Sequence, residues 1–102
     1  INDFFLDWIE RFAPFGPDNN RPVFATRGVC VASYPYNVGR NHLKLKVMKD
    51  GMSLDLIGYN LGDYLSLLKK NSIVDIAYTL EYNRFGNKTS IQGKLRDIHV
   101  RQ

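Results

Sequence analysis

Residues 42 to 48, HLKLKVM, alternate without a break: Leu43, Leu45 and Val47 fall on one side of an extended chain, His42, Lys44 and Lys46 on the other. A period of two buries its apolar half only when the segment is a strand with one face on a core and the other in water. Lys49-Asp50-Gly51 then reads as a tight hairpin turn, and MSLDLIGY (52–59) resumes the alternation with Met52, Leu54 and Leu56 inward. Past Leu56 the pattern slips, leaving the faces of Ile57 and Tyr59 open. An antiparallel pair with one wet, basic face is therefore the first thing this chain must build.

The same period governs most of the rest. VFATRGVCVASY (23–34) is a long first strand, with Gly28 marking a bulge or sharp bend. YPYNVGRN (34–41) reads as a loop. IVDIAYTLEY (73–82) places Val74, Ile76, Tyr78 and Leu80 on one side, and NRFGNK (83–88) carries a turn. TSIQGKLRDIHV (89–100) sets Ile91 and Leu95 against Gln92, Lys94 and Arg96. One segment breaks the period: GDYLSLLKKNS (62–72) reads as a short helix with Asp63 as N-cap, Leu65 and Leu68 inward, Lys69 and Lys70 at the negative end and Asn71 closing it. Three strands, a short helix and two strands is the order of a mainly β, five-stranded OB-type Greek-key barrel, its helix between strands three and four. A flat antiparallel sheet with a helix on one side is the alternative.

The start of the chain differs. In DFFLDWIERF, Phe4, Phe5, Trp8, Ile9 and Phe12 recur at helical spacing behind Asp3, a suitable N-cap. APFGPDNNRPVF (13–24) then packs three prolines and turn residues into a stiff corner. The helix's aromatic stripe needs a cover, either the rest of this chain or a preceding domain. The favoured organisation is a terminal helix of a preceding domain (1–13), a rigid linker corner (14–24) and the barrel (23–102). No apolar run nears the ~20 residues of a membrane helix, and no basic region precedes an apolar one at the N-terminus, so a soluble protein without a membrane partner is expected. A single cysteine, Cys30, has no intrachain partner; within an apolar strand it reads as a small buried thiol, which suits a reducing, cytoplasmic setting.

Catalytic patterns are missing. His42 and His99 lie in different strands with no ligand-spaced acid or second histidine, and there is no CxxC, nucleophile elbow or phosphate-cradling glycine loop. The sequence implies no cofactor for this chain and no catalysis by it. Binding has better support. Residues 1–24 carry four acids and two bases, whereas residues 25–102 carry twelve bases and six acids, so the barrel region is basic. His42, Lys44 and Lys46 project about 6.8 Å apart from one strand face. That row suits a sugar–phosphate backbone, and equally a lysine-rich face kept wet for solubility. Arg40 in the first loop and Arg84, Phe85 and Lys88 in the last extend it, with Tyr59 and Lys94 as further candidates. Phe85, an aromatic beside arginine at a loop tip, suits base stacking or folding back onto the sheet.

Several blocks in order carry a resemblance: FAPFGPDNNRPVF, HLKL, LDLIGYNLG and LEYNRFGNKTSIQGKLRDI. They resemble the C-terminal OB region of RecJ, the single-stranded-DNA-specific exonuclease, through Pro14, Phe15, Gly16, Asn19, Pro22 and Phe24, then His42, Leu43 and Lys44, then Asn83, Phe85, Ser90, Gln92, Asp97 and Ile98. Phe85 stands where that family often has tryptophan. The resemblance implies a parent enzyme degrading single-stranded DNA from its 5′ end, with a Mn2+- or Mg2+-dependent DHH core whose Asp-His-His motifs do not occur here. It further implies as partners single-stranded DNA, the DHH/DHHA1 core of the same polypeptide, and proteins such as single-strand-binding protein or a helicase. The competing expectation is a barrel that buttresses the nuclease core or docks repair partners.

Overall fold

In a computed structural model, residues 22–101 are described. The expectations for the N-terminal helix and most of the corner lie outside the described residues. The elements are β1 (Phe24–Val31), β2 (Tyr36–Val38), β3 (His42–Lys49), β4 (Met52–Gly58), a 3-10 helix (Gly62–Leu67), β5 (Ile73–Phe85) and β6 (Lys88–Val100). Their lateral order is β1-β5-β6-β4-β3-β2, and β1 also pairs with β3 through Cys30↔Met48 and Val31↔Val47. That last pairing closes the sheet. Setting the three-residue β2 aside, the ring runs first, second, third, fifth, fourth strand and back to the first, with β4 and β6 parallel. This is the OB-type barrel that the strand order predicts.

Alternation put the core where it lies. Leu43, Leu45 and Val47 of β3, Leu54 and Leu56 of β4, Val74, Ile76, Tyr78 and Leu80 of β5, and Ile91 and Leu95 of β6 are all buried in one cluster. Full burial of such side chains stabilises by roughly 1.5–3 kcal/mol each before the entropy of ordering is counted. Tyr78 brings a hydroxyl into this core and shares a 2.9 Å hydrogen bond with Thr26 Oγ1. Burial pushes its pKa up, because the phenolate would be charged in an apolar setting. At Gly93 the core admits no side chain: a Cβ there would run into Leu56 and Leu54, since Leu56 is its partner in the parallel β4–β6 pair.

Two turns follow their residues closely. Asp50 and Gly51 both take positive φ (53° and 79°), matching the twist of the β3–β4 hairpin. Gly28 takes φ 70° where β1 shifts register between Thr26 and Val29, so the expected bulge is present. Asp75 secures it: one carboxylate oxygen accepts from Gly28 N–H at 2.8 Å and from the Arg101 guanidinium at 2.7 Å.

Four expectations need correction. The stretch 34–41 is not all loop, because Tyr36–Val38 pairs with Lys44, Leu43 and His42. The helix is shorter and of 3-10 type, closed by i→i+3 bonds such as Leu68 N–H to Leu65 O (3.1 Å). Leu61, not Asp63, precedes it, and no side chain caps it. Leu68 leaves in extended conformation to reach the core, so Lys69, Lys70 and Asn71 form a separate turn, with Asn71 at φ 76°. Cys30 is half-buried rather than buried, because the Gly28 bulge turns Val29 and Val31 inward and leaves the residue between them on the outer side. Finally, β5 runs on to Phe85, which narrows the last turn to Gly86-Asn87.

Candidate nucleic-acid interface

β3 offers its polar face outward. Its pairing with β4 is unbroken, so Lys44 stands opposite Ile57, Lys46 opposite Asp55 and Met48 opposite Ser53. Beyond β4, Ile57 pairs with Lys94 of β6, and on the other flank Lys44 pairs with Tyr36 of β2. A row Tyr36–Lys44–Ile57–Lys94 thus crosses four strands at about 4.8 Å per step. Ile57 is only 6% exposed although it lies outside the core cluster, and its cross-strand partners on this face are Lys44 on one side and Lys94 on the other. The slip of pattern after Leu56 is now explained: Ile57 keeps the alternation and is an apolar residue buried on the outer side of the sheet.

Tyr59 lies beyond the end of β4, half exposed, between two candidates named from sequence. The His42 ring meets it edge-on at 5.3 Å between centroids, and Lys94 Nζ is 5.7 Å from its centroid. The ring is oriented by its neighbour, since Asn60 N–H donates to His42 Nδ1 at 3.1 Å. This leaves the proton of the neutral imidazole on Nε2. Asparagines hold the loop around Arg40 in place. Gly62 N–H donates to Asn41 O (3.0 Å), and Asn37 Nδ2 donates to Gly62 O (3.2 Å). Gly39 and Asn41 take positive φ on either side of Arg40, which leaves the arginine exposed at the loop tip.

The three lysines differ in their surroundings. Lys46 Nζ lies 3.9 Å from Asp55, an exposed pair that holds the lysine weakly. Lys44 has no ion-pair partner among the described residues, and Lys94 has Tyr59. Ser33, Tyr36, Lys44, Lys46 and Asp55 line a shallow depression at this spot.

The β5–β6 hairpin extends this face only in part. Along β6 from Lys94, residues Gln92, Ser90 and Lys88 share the outer side, and Phe85 pairs with Lys88. Arg84 pairs with Thr89 and therefore lies on the opposite face of the ribbon, which corrects its place in the row. Phe85 is 78% exposed, so it does not fold back onto the sheet. Since β4 and β6 are parallel, this tip lies at the Asp50-Gly51 end of the face and Arg40 at the other.

Among the described residues no three His, Cys, Asp or Glu side chains gather as a metal site, and no helix is long and apolar enough to cross a membrane. Sequence reading missed Tyr36 and the burial of Ile57 on the outer side. Tyr36-Asn37-Val38 does alternate, but three residues behind a proline are too short a signal.

The sequence matches the RecJ OB domain over residues 1–97. The chain belongs to the RecJ OB domain family. No curated protein matches it in sequence. The RecJ OB domain described here is similar in fold to the mitochondrial single-stranded DNA binding protein Rim1 of S. cerevisiae, with TM-score 0.66 and 13% identity over 79% of this chain and 94% of that one. A second crystal form of Rim1 gives TM-score 0.63 at 13% identity, covering 79% and 96%. The small single-stranded DNA-binding protein of Streptomyces coelicolor gives TM-score 0.55 at 10% identity, covering 80% and 95%.

Proposed function

We propose that this RecJ OB domain binds single-stranded DNA across its outer face and holds it for the DHH nuclease core of a RecJ-like 5′–3′ exonuclease, in the cytoplasm. The observation that carries the reading is the transverse row of Tyr36, Lys44, Ile57 and Lys94, in which two lysines stand on either side of the buried Ile57 and the exposed rings of Tyr36 and Tyr59 lie beside them. Phosphates would meet Lys44, Lys94 and, less strongly, Lys46, while bases would lie on the exposed rings of Tyr36 and Tyr59. Arg40 and the Phe85–Lys88 tip would guard the two ends. Stacking on the exposed Tyr36 and Tyr59 rings needs an unpaired base, which is why a single strand fits better than a duplex. The structural neighbours are consistent with this, being named for single-stranded DNA binding.

Mn2+ or Mg2+ chemistry would belong to the DHH core, and single-strand-binding protein or a helicase would meet the assembled enzyme. Residues 1–13 and 14–24 would then be the end of the preceding domain and the joint that sets the barrel over the core. The second reading is a barrel that buttresses that core or docks partners; the Lys46–Asp55 pair favours it, since a carboxylate on the face repels phosphate. Salt-titrated anisotropy with equal lengths of single-stranded and duplex DNA separates the two. Tighter, salt-dependent binding of the single strand supports the first, and equal weak binding of both, or none, supports the second.

A further inference from the structure

A second cleft lies off this face. About 620 Å³ in volume, it is lined by Tyr34, Pro35, Leu65, Leu68, Lys69, Lys70 and Asn71. No carboxylate lines it. Tyr34 is 75% exposed, and Lys70 Nζ lies 5.6 Å from its ring centroid. The lysine corner is fixed rather than loose. Asn71 N–H donates to Val31 O and Val31 N–H to Ser72 O, both at 2.8 Å, while Lys69 N–H donates to Ser72 Oγ at 2.9 Å. Leu65 and Leu68 give the cleft an apolar floor that continues into the core.

The cleft adjoins the outer face. Ser33 and Tyr36 line the depression beside Lys44, and Tyr34 and Pro35, between them in the chain, line the cleft. Two residues span at most about 7 Å of extended chain, so Tyr34 and Tyr36 are near neighbours. The pairing of a tyrosine with a lysine also occurs twice: Tyr59 with Lys94 on the face, Tyr34 with Lys70 here. An exposed aromatic ring, two cations without a carboxylate and an apolar floor suit a nucleotide, base on ring and phosphates on amines.

We propose that this cleft is a second nucleotide subsite, in which a base stacks on Tyr34 and Lys69 and Lys70 take the flanking phosphates of a strand that crosses the Ser33–Tyr36 ridge from the outer face. The inference rests on the outer face binding single-stranded DNA, and it lengthens the footprint beyond that face.

The test uses the full 102-residue chain and oligothymidylates of about 4 and about 12 nucleotides, the range of single OB sites. Affinity is read by anisotropy against salt for wild type, Lys69→Met/Lys70→Met, Tyr34→Ala and, as the face control, Lys44→Met/Lys94→Met; thermal melts establish that each folds. For the cleft lysine variant the expected result is unchanged binding of the short oligomer. With the long one its salt slope should fall by about 1.4, from about 0.7 per lost phosphate contact. Tyr34→Ala should weaken only the long oligomer, by roughly 5- to 100-fold at nearly constant slope. Wild-type length dependence and slope in both cleft variants, with the face control weakened, overturns the subsite alone. Loss in the cleft variants with an unaffected face control overturns the face reading and the continuous path. If no oligonucleotide responds to the cleft variants but an acidic, apolar peptide binds wild type and not the variants, the cleft serves a protein and the proposal fails.

Discussion

Removing the charges of Lys44 and Lys94 together asks whether the transverse row is the binding line. Methionine is the replacement of choice, because it keeps an unbranched apolar stem at both cross-strand partners of Ile57, which is only 6% exposed. Lys44 has no ion-pair partner among the described residues and Lys94 only a tyrosine ring, so each amine is available to a phosphate. Each lost contact lowers the single-strand salt slope by about 0.7, and the pair by about 1.4. Between about 50 and 200 mM salt, the ratio of wild-type to variant affinity should then shrink about sevenfold. The loss should be alike for different base sequences, since phosphate contacts carry no base information. Lys46→Met, by contrast, should change the slope by less than one contact, because Asp55 at 3.9 Å already offsets that charge in part. The assay is anisotropy of a labelled single strand titrated at several salt concentrations. A double variant with wild-type affinity and slope at low salt would refute the transverse path and leave the buttress reading in its place.

Phe85→Ala should weaken single-strand binding by roughly 1–3 kcal/mol with little change in slope, as loss of stacking would, measured in the same titration. Gly93→Ala should destabilise the barrel by about 1–3 kcal/mol in urea unfolding, because the new Cβ enters the space of Leu56 and Leu54; an unchanged midpoint would mean the core yields there freely. Asp75 is held below its usual carboxylate value by hydrogen bonds from Arg101 and from Gly28 N–H. A depressed folded pKa contributes stability above the unfolded value of about 3.9, lost as pH falls through the lower folded value. Urea midpoints from about pH 5 to about pH 2 should therefore fall more steeply for wild type than for Asp75→Asn, and parallel curves would contradict this. If the metal chemistry belongs to the DHH core, as proposed, the purified chain incubated with Mn2+ or Mg2+ should leave single-stranded DNA intact; degradation abolished by single substitutions in the chain would contradict this.

Much of this barrel is legible in one dimension. Strand alternation is local chemistry: Leu43, Leu45 and Val47 can be buried together only if Lys44 and Lys46 point away. The inward sides of β4, β5 and β6, the Gly28 bulge and the Asp50-Gly51 turn are local in the same way, because each depends on two or three adjacent residues. The RecJ resemblance, spread over several blocks, agrees with the family match.

What depends on register could not be read that way. A row along β3 was visible, but the row across the strands was not, since it exists only once β2, β4 and β6 are laid beside β3 in fixed alignment. Ile57 reads as a break in pattern until Lys44 and Lys94 are found on either side of it. Arg84 and Phe85 are neighbours in the chain and fall on opposite faces of one ribbon. Leu68 gave up the helix for the core, which carried Lys69 and Lys70 to the cleft that Tyr34 also lines. Sequence by itself determined which side of each strand is apolar, because that is a property of adjacent residues. Tertiary structure alone decided which charges and rings meet: Lys44 and Lys94 share a row only through the β3–β4 and β4–β6 pairings, and Lys70 reaches Tyr34 only because the turn before β5 is bonded to the end of β1, and no spacing along the chain sets either.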